Sequence, residues 1–246
     1  MMRVLLLGGT SEARSLAARL HPRVRIISSL AGRVADPALP VGPVRIGGFG
    51  GPDGLRQWLV DNDIGAVVDA THPFAATITG NAVQACGDLG VAHLVLHRPP
   101  WEPAAAIVVD SDEQAAETIA EQGFSRVFLT TGRSGTVAFR DSGGWFLIRL
   151  VSAPDTVDLP RRHRLILSRG PYRYRGETAL LRDHRIDVLV TKNSGGALTR
   201  AKIDAAADLG VAVVMIDRPA VPGGVTVVDS VDAATEWVLN LDNAGG

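Results

Sequence analysis

The chain has 246 residues and a net charge of −1; 46% of the residues are hydrophobic and 21% charged, a globular composition that forms a core without cross-links. Its single cysteine, Cys86, excludes a disulfide framework and a cysteine-based zinc site, and it is typical of a reducing cytoplasm. Because we find no signal peptide, no apolar run long enough to span a bilayer and no RNA-binding signature, we expect a cytoplasmic protein with neither a membrane nor a nucleic-acid partner.

Short β-branched or leucine-rich runs alternate with alanine-rich helical patterns along the chain. Strands are predicted at residues 4–7, 24–27, 44–46, 66–69, 93–96, 127–130, 146–150, 165–167, 188–191 and 213–216. Helices are predicted at residues 11–20, 53–62, 74–89, 112–122, 198–209 and 232–241. Because the strands are continuously apolar rather than alternating, we predict an α/β fold whose parallel sheets are covered by helices on both faces.

The two halves of the chain resemble each other. The segment DLGVAHLVLHRPPW at 88–101 matches DLGVAVVMIDRPAV at 208–221, an offset of 120 residues. We therefore predict two Rossmann-like domains with a ligand cleft between them, an N-terminal domain at 1–103 and a C-terminal domain at 104–246. By analogy between the halves, the strand and helix at 224–246 are hypothesised to pack back on the N-terminal domain.

The first predicted strand runs into the sequence GGTSEA, where a helix begins. Glycines at 8 and 9 let the backbone approach a pyrophosphate, and the helix N-terminus offers unpaired N–H groups. Thr10 and Ser11 add hydroxyl donors. Since the spacing departs from G-x-G-x-x-G, an ordinary tight turn remains the alternative interpretation.

The second strand indicates which cofactor would bind. NAD-dependent folds usually place Asp or Glu at its end for the ribose 2′-hydroxyl. Here the strand ends in Ser28 and Ser29, Arg33 follows, and no acid occurs before Asp36. Hydroxyls and an arginine suit a 2′-phosphate, so we predict NADP(H) rather than NAD(H), with a plain surface arginine as the alternative for Arg33. The glycine cluster GGFGG at 47–51 indicates a ligand nearby or a flexible connection.

The sequence DATHPF follows the next strand, at the sheet edge where ligands bind in open α/β folds. Small residues after Pro73 keep this turn slim, so His72 is predicted to bracket a flat nicotinamide and its ribose. A metal site is not predicted, because no histidine or cysteine partner stands at ligand spacing. A general-acid role for His72 remains a second possibility.

Basic and hydroxyl side chains follow the predicted strands of the second half, in TGRSG at 131–135, SRGPY at 168–172 and TKNSGG at 191–196. The stretch at 161–175 carries six arginines and no acid, which indicates either a solvated basic face or a polyanion site. Tyr172 would lie along a ligand or shield the sheet edge. Lys202 would reach the cleft or cover a helix face.

Taken together, the motifs LLLGGTSEAR, SLAGR, GGFGG, DATHPFA, RPPW, TGR, SRGPY and TKNSGG resemble those of the precorrin-6A reductases of cobalamin biosynthesis. They occur in the family's order from residue 4 to about residue 219. The resemblance implies an NADPH-dependent reductase that converts a ring-contracted tetrapyrrole to precorrin-6B in a cleft between two Rossmann-like domains. It also implies hydride transfer to an electron-poor carbon of the macrocycle, with a proton added beside it.

The resemblance assigns two groups of site residues. The cofactor group is Gly8, Gly9, Thr10, Ser11, Glu12, Ser29, Leu30, Ala31, Gly32, Arg33, Gly47, Gly48, Thr71, His72 and Pro73. The substrate group, extended by Ser134 and Lys202 because a polycarboxylate needs cations and hydroxyls, is Arg133, Ser134, Ser168, Arg169, Gly170, Tyr172, Lys192, Asn193, Ser194, Gly195 and Lys202. The proton donor stays open among His72, Tyr172, Lys192 and water.

Other functions remain as alternatives. A short-chain dehydrogenase or epimerase needs Tyr-x-x-x-Lys, but Gly176 follows Tyr172 and Thr178 follows Tyr174 at that spacing. Another NADP-dependent reductase, a nucleotide-sugar enzyme of doubly wound fold and a non-enzymatic nucleotide-binding module would share the predicted cleft. The sequence gives no prediction of the oligomeric state.

Overall fold

A computed structural model describes residues 2–32, 37–153 and 159–244 of the chain. The strands are β1 Arg3–Leu7, β2 Arg25–Leu30, β3 Val44–Ile46, β4 Ala66–Asp69, β5 Ala92–Leu96, β6 Ile107–Val109, β7 Arg126–Leu129, β8 Trp145–Leu150, β9 His163–Leu167, β10 Val188–Lys192, β11 Ala212–Ile216 and β12 Thr226–Val228. The helices are α1 Ser11–Leu20, α2 Gly51–Asp61, α3 Ala76–Leu89, α4 Asp112–Glu121, α5 Tyr174–Asp183, α6 Ala201–Asp208 and α7 Val231–Ala244, and Arg133–Phe139 form a 3-10 helix. These elements confirm the predicted α/β class.

The chain divides into two compact units. The first contains the described residues up to Pro99 and those from Pro219 onward, and the second is Pro100–Arg218. Strand β12 pairs in parallel with β5, with Val227 opposite Val95, so the C-terminal strand and helix belong to the first unit. The chain thus crosses between units at two places, whereas the sequence prediction set one boundary at 103 and 104 and added the return of 224–246 as a hypothesis.

The first unit is a parallel sheet in the order β12-β5-β4-β1-β2-β3. Both faces of β1 are buried: Val4 and Leu6 pack with α1 and α7, while Leu5 and Leu7 pack with α2 and α3. Helix α1 forms because Ala13, Leu16, Ala17 and Leu20 recur at helical spacing and face this core. The strand order reverses between β1 and β4, and ligands of open α/β sheets bind at such a reversal.

The second unit repeats this architecture in the order β6-β11-β10-β7-β8-β9, with its reversal between β7 and β10. Helices α5 and α6 cover one face, where Phe128, Leu147 and Leu189 are fully buried. The basic stretch at 161–175 supplies β9, the last strand in this order, and the start of α5.

Several elements differ from the predicted ones, and two of them are helices α5 and α3. Helix α5 was not predicted, because the arginines, tyrosine and glycine at its start read as part of the basic loop; its buried side chains are Glu177 and Leu181. Helix α3 begins at Ala76 rather than at residue 74. The backbone N–H of Ala75 donates to the His72 carbonyl oxygen at 2.7 Å, and this separate turn delays the helix.

Candidate active site

The glycine-rich turn of the first unit leads directly into α1. Thr10 caps this helix by accepting a hydrogen bond from the Ala13 N–H at 3.1 Å, and its hydroxyl donates to the Ala70 carbonyl oxygen at 2.7 Å. Thr10 therefore joins the turns after β1 and β4 at the strand reversal. Because this proton is bonded to Ala70 in the structure, donation from the Thr10 hydroxyl to a ligand stays a prediction. Gly9 has a φ of +114° and nothing lies within 4 Å of its missing Cβ, so its backbone stays accessible.

The turn also contains an acidic residue, Glu12, whose negative charge is balanced by an ion pair. Glu12 accepts hydrogen bonds from Ser11 and Arg98, each at 2.9 Å, and Arg98 follows β5. Burial raises the pKa of Glu12, yet Arg98 and these hydrogen bonds outweigh that effect and leave the pKa below its ordinary value. An anionic ligand at the start of α1 would therefore meet an ion pair rather than an isolated carboxylate.

Beside the end of β2 lies an arginine of β3 that was not among the predicted site residues. Arg45 of β3 stands opposite Ser29 in the strand register and donates to the Ser29 hydroxyl oxygen at 2.7 Å. It also donates to the carbonyl oxygens of Gly47 and Gly48 at 3.0 Å, and its guanidinium lies 3.8 Å from the Phe49 ring centroid. Pairing the predicted strands at 24–27 and 44–46 was the signal that could have found it. Arg33 lies outside the described residues, and Leu30, Ala31 and Gly32 lead toward it.

A buried carboxylate shapes the turn that contains His72. Asp69 is 1% exposed and accepts from the Thr71 N–H at 2.9 Å and from the Thr71 and Thr79 hydroxyls at 2.6 Å each. The Phe74 N–H donates to His72 Nδ1 at 3.2 Å. A neutral His72 that accepts at Nδ1 carries its ring proton on Nε2. Pro73 lies in this turn, ahead of α3.

The corresponding turn of the second unit is built differently. After β7 the chain forms the 3-10 helix that contains Arg133 and Ser134, and Arg133 donates to the Ser152 hydroxyl oxygen at 2.9 Å. A Cβ on Gly135 would lie 2.3 Å from Asp112 Oδ1 and 2.6 Å from Thr131 Oγ1. Gly132 in this turn is open like Gly9, since nothing lies within 4 Å of its missing Cβ, but a 3-10 helix follows it where α1 follows the turn after β1.

Lys192, at the end of β10, forms an ion pair of 3.1 Å with Asp112 at the start of α4. The second carboxylate oxygen of Asp112 and the hydroxyl of Thr131 are buried and have no hydrogen-bond partner among the described residues. Asp112 was not among the predicted site residues, although it begins the helix predicted at residues 112–122.

The SRGPY segment is tied to the interior through its tyrosine. Tyr172 donates its hydroxyl proton to the Ser168 carbonyl oxygen at 3.0 Å, and its N–H donates to the Leu198 carbonyl oxygen at 3.0 Å. The Arg149 guanidinium lies 4.0 Å from the centre of its ring. The hydroxyl proton of Tyr172 is therefore bonded within the loop, and a role as proton donor stays a prediction for this side chain. Arg169 and Gly170 lie in the same loop.

The TKNSGG segment is held by a tryptophan. Trp101 N–H donates to Asn193 Oδ1 at 2.8 Å, Asn193 Nδ2 donates to the Trp101 carbonyl oxygen at 3.1 Å, and Trp101 Nε1 donates to the Gly196 carbonyl oxygen at 2.8 Å. Ser194 and Gly195 lie between these two attachments. Lys202 is only 4% exposed, so its ammonium lies beneath this segment rather than at the surface.

Two classes of site are not found in the described part of the chain. Residues 2–32, 37–153 and 159–244 contain no group of three or more His, Cys, Asp or Glu side chains that could hold a metal ion. None of the helices formed by these residues is long and apolar enough to cross a membrane.

Residues 3–239 match the family described as precorrin-6x reductase CbiJ/CobK. The chain belongs to this family. A precorrin-6A reductase from Mycobacterium tuberculosis (strain CDC 1551 / Oshkosh) is 67% identical over 98% of this chain and 99% of its own length. A precorrin-6A reductase from Rhodococcus erythropolis is 53% identical over 98% and 99% of the two chains. A solved structure of CobK precorrin-6A reductase is 39% identical, superimposes with a TM-score of 0.89, and covers 98% of this chain and 97% of that one. Membership of the precorrin-6x reductase family confirms the predicted family and makes this chain an oxidoreductase, which implies a nicotinamide cofactor.

Proposed function

We propose that this protein reduces precorrin-6A to precorrin-6B in cobalamin biosynthesis and takes the hydride from NADPH. The family match over residues 3–239 is the observation that carries the proposal. NADPH, when bound, supplies a hydride, and the protein's own task is to bind both reactants, orient them and deliver a proton.

The first unit is proposed to bind the cofactor. The accessible backbone at Gly9 and the N-terminus of α1 suit a pyrophosphate, and the Glu12–Arg98 ion pair removes a repulsive charge from that position. Nothing lies within 4 Å of the missing Cβ atoms of Gly47 and Gly48, so a ligand could approach the backbone there as well. His72, with its proton on Nε2, would stand beside the nicotinamide ribose.

NADPH is proposed over NADH because of the charges at the end of β2. The described end of this strand has no acid to accept a ribose 2′-hydroxyl, and it has Ser29 and Arg45 side by side at 2.7 Å. A guanidinium and a hydroxyl bind a phosphate through charge-assisted hydrogen bonds. Arg45 would thus take the role that the sequence predicted for Arg33, or share it.

The second unit is proposed to bind the macrocycle. Lys192, Arg133 and Arg169 would pair with substrate carboxylates, and the backbone of residues 193–196 would supply further donors. Asp112 keeps the Lys192 ammonium in place across 3.1 Å. Of the proposed proton donors, His72 would present a proton at Nε2 and Lys192 at Nζ.

A paired titration tests the cofactor assignment. Purified protein would be titrated with NADPH and with NADH, by calorimetry or by nicotinamide fluorescence. We expect NADPH to bind at least tenfold more tightly, since about 1.4 kcal/mol corresponds to a factor of ten and one charge-assisted contact supplies that much. Equal affinities, or a preference for NADH, would contradict the assignment of the end of β2 to a 2′-phosphate.

A further inference from the structure

Three charged side chains are buried together in the second unit. Arg149 of β8, Glu177 of α5 and Lys202 of α6 are 6%, 2% and 4% exposed. Arg149 donates to both carboxylate oxygens of Glu177, at 3.0 Å and 2.7 Å. This two-point contact satisfies the only carboxylate of the cluster.

Lys202 is therefore a buried cation whose contacts are with neutral groups. Its Nζ donates to the Thr199 carbonyl oxygen at 3.1 Å and lies 5.0 Å from the centre of the Trp101 ring. In the described part of the chain, no carboxylate lies within ion-pair distance of this ammonium. Burial, the largest cause, and the positive charge of Arg149 together lower the pKa of Lys202 to about 7, against the opposing effect of the Glu177 carboxylate. The cluster thus holds one uncompensated positive charge when Lys202 is protonated.

This cation supports the loop that follows β10. Lys202 binds one end of the loop at Thr199, and the tryptophan beneath the ammonium binds the other end at Asn193 and Gly196. The neighbouring Ser168–Tyr172 loop is attached to the same cluster, because the Tyr172 ring lies on Arg149 and its N–H binds Leu198. The two loops assigned to substrate carboxylates therefore rest on one buried group of charges.

A lysine at position 202 is unusual in this chain, because nearly all of its basic residues are arginines. Only two of its 25 basic residues are lysines, and they are Lys192 and Lys202. An arginine stays protonated at every physiological pH, whereas a buried lysine can lose its proton. A titratable cation has thus been placed beneath the loop in a protein that otherwise uses arginine.

We propose that Lys202 is a positioning residue whose buried ammonium supports the substrate loops, and that it takes up a proton as the polycarboxylate substrate binds above it. This inference rests on the proposed function. Carboxylates brought to residues 193–196 supply the negative charge that the cluster lacks, so they favour the ammonium over the amine. By linkage, substrate affinity then falls as the pH rises above the pKa of the free protein.

Because the chain has only two lysines, the protonation of Lys202 can be followed directly. Protein grown with lysine labelled by a stable carbon isotope at Cε gives two lysine signals, and the Lys192→Arg variant identifies the one from Lys202. The signal would be followed through a pH titration of the free protein and of its complex with precorrin-6A. We expect a midpoint near 7 for free Lys202 and a midpoint at least about one unit higher in the complex.

Affinity measurements on two variants distinguish the effect of the positive charge at position 202 from the effect of a change in its protonation. Above pH of about 7.5, precorrin-6A affinity of the wild type is expected to fall by up to about tenfold per pH unit, the limit for one coupled proton. Lys202→Arg keeps the charge, so this fall disappears. Lys202→Met lacks the charge and binds more weakly across the range, while both variants keep the circular dichroism spectrum of the wild type, which reports that they are folded.

Each possible result either supports or overturns the inference. A free-protein midpoint near the ordinary lysine value, or a midpoint that the substrate leaves unchanged, overturns the inference and leaves the reductase proposal intact. Equal pH dependence of the wild type and Lys202→Arg overturns it as well. No binding of precorrin-6A by the wild type overturns the proposed function, and with it this inference.

Discussion

The Arg45 guanidinium donates to the Ser29 hydroxyl oxygen at 2.7 Å, across the register of two neighbouring strands. The carbonyl oxygens of two glycines and the face of Phe49 fix the same guanidinium from its other sides. A cation held this rigidly loses little conformational freedom when it binds a ligand, and that makes it an effective phosphate contact.

Replacing Arg45 by Ala is expected to weaken NADPH binding by roughly ten- to a hundredfold, because hydrogen bonds to charged groups contribute about 1.5–3 kcal/mol. NADH binding should change by less than about threefold, since NADH lacks the 2′-phosphate. Calorimetric titration of both nucleotides measures the difference. Arg56→Ala is the matched control, because Arg56 is an exposed arginine of α2 paired with Asp53 and Asp88. An equal loss for NADPH and NADH would assign Arg45 a structural role instead.

Asp69 is expected to hold the His72 turn in place. Asp69→Ala removes the acceptor of three hydrogen bonds and leaves the buried Thr79 hydroxyl without it, so we expect a loss of about 3 kcal/mol in the free energy of unfolding. Thr79→Val removes one of these bonds with little change of shape and should cost about 1 kcal/mol. Urea denaturation measures both. NADPH affinity should fall in the Asp69 variant, and unchanged affinity would show that this turn does not contribute to cofactor binding.

Gly135 is expected to tolerate no side chain. The Cβ of Gly135→Ala would lie 2.3 Å from Asp112 Oδ1, which must move and disturb the Asp112–Lys192 ion pair. Overpacking of this kind costs about 1–3 kcal/mol, and precorrin-6A affinity should fall as well. Gly176→Ala is the control, because nothing lies within 4 Å of its missing Cβ within α5. A Gly135 variant that binds precorrin-6A like the wild type would remove Lys192 from the proposed substrate site.

The stability of the free protein should depend on pH through Lys202. Its pKa is about 7 in the folded protein and near 10.5 when unfolded, so between these values the unfolded chain binds the extra proton. The free energy of unfolding of the wild type, relative to Lys202→Met, is therefore expected to rise as the pH increases from about 7 toward 10.5. Below about 7 both states are protonated and the difference stays constant. Denaturation curves at several pH values measure it, and parallel curves for the two proteins would contradict the expectation.

The sequence was sufficient to predict the regular parts of this fold. Helix α1 occupies the predicted residues 11–20, and the strand at 66–69 also matches, because continuous apolar runs and helical spacing are local signals. Helix α5 was missed because its first residues, Tyr174 to Gly176, resemble the polar loop before them, and its stability depends on burying Glu177 against Arg149. A contact between residues 28 positions apart leaves no local pattern.

The residues of the candidate site were likewise predicted where the signal is local and missed where it is not. Glycines, His72 and the TKNSGG segment were found because their residue types follow predicted strands. Arg45 and Asp112 were missed, and Trp101 was noted only as part of RPPW, because their roles come from strand pairing and from contacts between residues distant in the sequence. The same limit applies to the Thr10 hydroxyl, whose bond to Ala70 depends on β1 and β4 being neighbours.

The most direct measurement of the central claim is a turnover experiment under anaerobic conditions. Wild-type protein, precorrin-6A and NADPH carrying deuterium at nicotinamide C4 would be combined, and the tetrapyrrole analysed by mass spectrometry. We expect one NADPH to be consumed for each precorrin-6A. The product should gain one deuterium from the cofactor and one hydrogen from water. Parallel reactions with NADH in place of NADPH, and with the cobalt complex of precorrin-6A, measure the specificity for the cofactor and for the substrate. An unchanged macrocycle in the presence of bound NADPH would contradict the account.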